Sequence, residues 1–163
     1  MIDPQARPSR YIRLLAFVTL LGVISALITF GFIAVVHQST ALLWEQAALV
    51  VGIDPRLFTV IVCAAGGLLV GLLVRSFGDH SGIFAEVMTE FGKTGRFDYR
   101  NAPGIVITAF VSLVAGASLG PEAPLADACG GLGTWFSNRL KLDEQETRTM
   151  GYSGVSGMLA AFI

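Results

Sequence analysis

Ser118-Leu119-Gly120-Pro121-Glu122-Ala123-Pro124 decides the reading of this chain. The stretch sets one carboxylate, bracketed by two prolines and a glycine, at the junction of two apolar segments. Ala102 to Leu119 precedes it, 18 residues without a charge, and Leu125 to Phe136 follows with Asp127 as its only charge. A charge near the centre of a membrane helix costs about 2.5 kcal/mol or more, so an acid placed there is read first as functional. A proline at a helix start forfeits no hydrogen bond, because first-turn N–H groups have no internal partner. The segment therefore reads as a break between helices, with a new helix starting near Glu122. Its free N–H groups and dipole attract an anion.

Composition places the whole chain at a membrane. It is 53% hydrophobic and 14% charged, where soluble domains carry about 25% charged residues. Mean hydropathy is +0.68. The net charge of −1 offers no basic surface for nucleic acid. Cys63 and Cys129 lie in apolar runs and read as small buried hydrophobes, without disulfide or metal spacing. His37 and His80 read as single loop histidines with no partner at ligand spacing, so neither a metal nor a cofactor is expected. The length of 163 residues fits one domain, 1–163.

Two runs are long enough to span. Leu14 to Val36 holds 23 residues without charge, enough to cross a hydrocarbon core of about 30 Å with some tilt. It is too long for the h-region of a signal peptide. Leu57 to Val74 holds 18 residues between Arg56 and Arg75, and its Gly67 and Gly71 form a G-x-x-x-G that suits close helix packing in lipid. Arg7, Arg10 and Arg13 precede the first run, the connection 37–55 carries no Lys or Arg, and 75–101 carries Arg75, Lys93, Arg96 and Arg100. The bias predicts a multi-pass cell-membrane protein with its N-terminus in the cytoplasm.

The connection 75–101 contains Gly78-Asp79-His80-Ser81-Gly82-Ile83-Phe84-Ala85-Glu86-Val87-Met88, which reads as a loop feeding a short helix, with Ser81 as N-cap and Glu86 near the positive end. This helix is too short to span and fits a re-entrant element. Glu90 and Lys93 read as an i,i+3 pair on a solvated face. Asp127 is expected to face a protein interior or a water-filled pocket. Two helix starts aimed at one place would hold an anion by partial charges alone, weakly enough for release. Glu122 would compete for that place when ionised and vacate it when protonated or displaced.

These segments resemble the CLC family of chloride channels and chloride/proton exchangers. The family's Gly-Ser-Gly-Ile-Pro loop, whose Ser binds chloride, is similar to His80-Ser81-Gly82-Ile83-Phe84. Its Gly-x-Glu-Gly-Pro motif, whose Glu is the gate, is similar to Gly120-Pro121-Glu122-Ala123-Pro124. A third segment, Asp143 to Phe162, resembles the family's small-residue helix ending in Ala-Ala-Phe. The Gly-Pro-Glu-x-Pro form resembles a divergent bacterial branch of ion-transport proteins.

The resemblance implies an all-α polytopic membrane fold with broken and re-entrant helices, covering most of the first half of an inverted repeat. It implies anion passage, with chloride as the default, as channel or proton-coupled exchanger, and no enzymatic activity. Glu122 would gate, and Ser81, Gly82, Ile83, Gly120 and Ala123 would bind the anion. It also implies a homodimer in the bilayer, with the second half of the repeat supplied in cis or in trans. Alternative readings are a non-conducting packing or assembly subunit and a rhomboid-like intramembrane protease. The latter rests on Gly154-Val155-Ser156-Gly157, but no His follows Ser156 to act as its base.

Overall fold

The computed structural model describes residues 8–77, 83–118 and 120–163, and among them every regular element is helical. Helix α1, Pro8–Ala41, runs on through a π-helical turn, Leu42–Ala47, into the single turn α2, Ala48–Val51. Gly52, at φ 65°, ends it in the left-handed conformation that glycine adopts without strain. Then follow α3, Pro55–Phe77, α4, Phe84–Thr94, α5, Ala102–Val114, α6, Glu122–Leu140, and α7, Glu144–Ala160. Pro55 opens α3, and a proline sits in the first turn of α5, positions where the missing N–H costs nothing. Among the described residues, two helical stretches are long and apolar enough to cross a membrane, Arg10–Val51 and Pro55–Phe77.

Contacts fix how the helices run. Gly66 of α3 meets Ala115 while Phe77 meets Gly104, so α3 and α5 are antiparallel. Phe32 packs edge-on to Phe110, and the Trp44 indole N–H donates to the Val114 carbonyl at 2.9 Å, so α1 and α5 are parallel. Gly133 meets Met150 and Gly154 meets Cys129, which makes α6 and α7 an antiparallel hairpin. Arg10 pairs with Asp143 and Glu146 at 2.8 Å each, Ser153 donates to the Val18 carbonyl at 2.6 Å, and Gly157 meets Gly22, so α7 runs parallel to α1.

Helix α1 is inside-out relative to a soluble helix. Its buried positions are Leu21, Ser25 and Thr29, whereas Leu15, Leu20, Val23, Leu27, Phe30 and Val35 are exposed. A patch of that extent in water would drive association, but against hydrocarbon it is the solvated face. In lipid, apolar area does not drive helices together, so contact relies on close approach and hydrogen bonds. The interface meets that demand with Gly22, Gly154 and Gly157, where a Cβ on Gly154 would overlap the Cys129 carbonyl and one on Gly157 the Gly22 carbonyl. Thr29 and Cys129 are in weak hydrogen-bond contact at 3.8 Å. The apolar core beyond this seam joins Val87, Phe91, Phe97, Leu125, Ala126, Cys129, Val155 and Met158.

Several expectations are corrected. Gly67 and Gly71 face open space, and it is Gly66 that admits a neighbour. The stretch 37–55 is a connection only over Gly52–Asp54, so His37 lies on α1. Cys63 is exposed, its thiol donating to the Ala115 carbonyl at 3.8 Å. Glu90 and Lys93 are exposed and close no ion pair. A valine at Gly154 should lower stability by about 1–3 kcal/mol or more through overpacking. Gly67→Ala and Gly71→Ala should leave it within about 1 kcal/mol, on the favourable side. Thermal denaturation of the detergent-solubilised protein measures both, and equal losses at all three positions would contradict this packing.

Candidate functional site

The apolar run from Ala102 is helical only to Val114. Gly116, at φ 101°, turns the chain away, and the helix resumes at Glu122 with Pro121 as N-cap. Leu125 N–H already donates to the Pro121 carbonyl at 3.0 Å. Pro121 and Pro124 carry no N–H. The helix-start donors of α6 are thereby reduced to two, the N–H groups of Glu122 and Ala123. The Glu122 side chain is exposed and folds back over Gly120, where any Cβ would collide with its carboxylate. With any larger residue at 120 the Glu122 carboxylate would have to shift.

The second helix start is that of α4. Its N-cap is Ile83, in extended conformation, and not Ser81. An isoleucine side chain accepts no hydrogen bond, so the cap is made from the other side: Glu86 accepts from the Ile83 N–H at 3.4 Å. Glu86 and Val87 N–H groups bond to the Ile83 carbonyl, which leaves those of Phe84 and Ala85 as the helix-start donors. Both helix starts thus carry a carboxylate in the first turn, Glu86 and Glu122. Ser81, Gly82 and His80 lie outside the described residues.

The two starts share one apolar cluster. Phe84 and Met88 from α4, Ala123 from α6 and Phe32 from α1 all pack against the same buried cluster. Phe32 belongs to the apolar run 14–36, so both helix starts lie beside the lipid-facing stretch of α1 and not at its basic end. Helices α4 and α6 run in the same direction, because Phe97, just beyond α4, donates its N–H to Thr134 at 3.0 Å deep along α6. Phe97 stacks on Phe91 at 4.2 Å and lies over Gly130, whose missing side chain makes the space. Of the predicted anion-binding residues, the structure brings Ile83 and Ala123 to these paired helix starts and sets Gly120 under the Glu122 carboxylate.

A cavity of about 450 Å³ opens behind this region, lined by Glu90, Arg96, Asp98, Asn101 and Asp127 together with Val87, Phe91 and Phe97. Asp127 does line a pocket, as its place in an apolar run suggests. Its company of Glu90 and Asp98 had no signal in the sequence, since these acids lie on three separate elements. Three carboxylates against one guanidinium make this space favour water and cations and oppose anions. Ser156 is exposed on α7. His37 lies 15 residues beyond the Gly22–Gly157 contact, about 20 Å along α1, so among the described residues no imidazole reaches Ser156.

Comparison with known proteins agrees with this geometry. The family model for "Voltage gated chloride channel" matches residues 66–163, more than half of the chain. The chain is similar to "Putative ion-transport protein YfeO" of Salmonella newport, 27% identical over 142 residues, covering 86% of this chain and 34% of that protein. The protein of the same name from Escherichia coli O139:H28 is 26% identical over 163 residues, covering 98% of this chain and 38% of that protein. The chain therefore spans little more than a third of the length of the curated relatives it matches. No solved structure matches it.

The Thr134–Phe97 bond ties the segment after α4 to the later part of α6, and Thr134 is 3% exposed. Thr134→Val should leave the buried Phe97 N–H unpaired and cost about 1–3 kcal/mol. Thr134→Ser, which keeps the hydroxyl, should cost less than half as much in the same thermal melt. Equal losses would mean that the methyl group, not the hydrogen bond, secures the contact.

Proposed function

The chain belongs to the voltage gated chloride channel family, and from that premise we propose that it is the anion-binding part of a membrane transport protein for chloride. The observation that supports this is the pairing of two helix starts, α4 and α6, beside the apolar stretch of α1. Each offers two free backbone N–H groups and the positive end of a helix dipole, worth about half a unit charge. Such a site attracts an anion without a full positive charge, so the ion also leaves readily. Ser81 and Gly82 would complete it from the segment before Ile83.

Glu122 would gate. It is itself an anion tethered to the anion-attracting end of α6, close enough to Gly120 to lie across the helix start. Ionised, it competes with chloride for the Glu122 and Ala123 N–H groups. Protonated, it loses that attraction and moves aside. The residues form one membrane domain that would work within a complete subunit, paired with the second half of an inverted repeat and dimeric.

Orientation follows from where the basic residues gather. Arg10 and Arg13, the end of α3 with Arg75, the α4–α5 connection with Lys93, Arg96 and Arg100, and the α6–α7 turn with Arg139, Lys141 and Arg148 all fall at one end of the bundle. Arg56 is the only described Lys or Arg at the other. The rule that Lys and Arg face the cytoplasm supports an N-terminus on that side.

Chloride flux through the intact protein in liposomes tests the reading. Glu122→Gln should remove the pH dependence of flux that the carboxylate confers, because the amide cannot ionise. Retained pH dependence would take the gate away from Glu122. Absence of anion flux at any pH in the unaltered protein would sink the transport reading and favour a packing subunit.

A further inference from the structure

The far end of α4 carries an arrangement that the transport reading does not use. The last carbonyls of a helix have no internal partner. Gly95, at φ 69°, returns its N–H to the Phe91 carbonyl at 2.7 Å. The Gly92 carbonyl is instead satisfied from another helix: Arg148 of α7 donates its Nη2 to it. The guanidinium also lies against Gly95, where a Cβ would come within 3.4 Å of its Nε. One turn further along α7, Tyr152 packs edge-on against Phe91 at 4.8 Å. Between them Gly151 lets the Phe91 ring approach the α7 backbone. Arg148, Gly151 and Tyr152 therefore form one face of α7 that clamps the C-terminal half of α4.

We propose that Arg148 is a positioning residue for the anion site, acting by pinning the C-terminal end of α4 so that its N-terminal end keeps its place against the cluster it shares with the start of α6. The proposal rests on the anion-transport reading. Helix α4 has 11 residues and is about 16 Å long, so it moves as one short rigid element and a change at its C-terminal end is felt at its start. Among the described residues, its first turn is held by side-chain packing of Phe84, Val87 and Met88 and by Glu86. Two effects of Arg148 can be weighed. Its charge could cancel the negative end of the α4 dipole as felt by an anion at the other end. That separation is about twice the screening length of about 8 Å at physiological salt, and Arg148 is exposed, so this contribution is small. The hydrogen bond to Gly92 is a local constraint that salt does not screen in the same way. Arg148 acts through geometry.

The test is chloride flux in liposomes as a function of chloride concentration, using the intact protein. Arg148→Met keeps the aliphatic stem and removes the donors. It should raise the half-saturating chloride concentration about two- to ten-fold, the net value of one hydrogen bond, with a smaller change in maximal rate per folded protein. Arg148→Lys, which can still donate to the Gly92 carbonyl, should return the half-saturating concentration to within about two-fold of the original. Arg148→Ala should shift it as Met does, which covers failure of either variant to assemble. An unchanged half-saturation in the Met and Ala variants, alongside normal flux in the unaltered protein, overturns the role of Arg148 alone. A shift that Lys does not reverse also overturns it. No flux in the unaltered protein removes the transport reading, and the proposal falls with it.

Discussion

Close backbone approach in a lipid-like surrounding is the constraint on which this structure depends. With apolar faces turned outward on α1 and α3, apolar area cannot hold the helices together. The seam between α1, α6 and α7 is made instead by glycines meeting carbonyls, as at Gly154 and Cys129 and at Gly157 and Gly22. Hydroxyls add to it, Ser153 to the Val18 carbonyl and Thr29 beside Cys129. At the basic end, Arg10 bridges Asp143, the N-cap of α7, and Glu146, which is largely buried and completes the capping box. That cluster joins the start of α1 to the start of α7 and fixes the register from which the glycine contacts follow.

The register of this three-helix seam decides where the broken helix begins. Cys129 lies against Ser25 and Thr29, so Glu122, two turns earlier on α6, falls beside the later part of the α1 apolar run. Had the seam slipped by one turn, the helix start would move by about 5.4 Å. The chain also limits what that start can offer. Prolines at 121 and 124 remove two donors, and Glu122 and Ala123 keep theirs. A helix N-terminus usually presents a broad cap of N–H groups. This one is narrowed to two adjacent donors, with a carboxylate attached to the first.

Much of this was legible in the sequence. Charge-free runs locate spans without any knowledge of packing, and Gly-Pro-Glu-Ala-Pro marks a helix start because proline and glycine act on their own backbone. What escaped depends on partners. Nothing local separates Gly66 from Gly67 and Gly71, and only the arrival of Ala115 does. The N-cap of α4 was assigned to Ser81 because its hydroxyl is a better acceptor than any atom of Ile83. The helix starts at Phe84 instead, with Glu86 serving the cap from inside the first turn. The stretch after Val36 looked like a loop because it gains Gln38, Ser39, Glu45 and Gln46. Polar residues on a helix that leaves the hydrocarbon are no bar to its continuing, and the π-helical turn at Leu42–Ala47 absorbs the change before Gly52 stops it.

Acidic residues are unevenly placed within the domain. Glu90, Asp98 and Asp127 line one cavity, while Glu86 and Glu122 each sit in the first turn of a helix start. An anion at the helix starts meets dipoles and N–H groups. In the cavity it would meet three acids. Tyr152 packs edge-on against Phe91 of the aromatic stack, and Arg148 holds the Gly92 carbonyl at the end of the same helix, so α7 fixes α4 by packing and by one hydrogen bond.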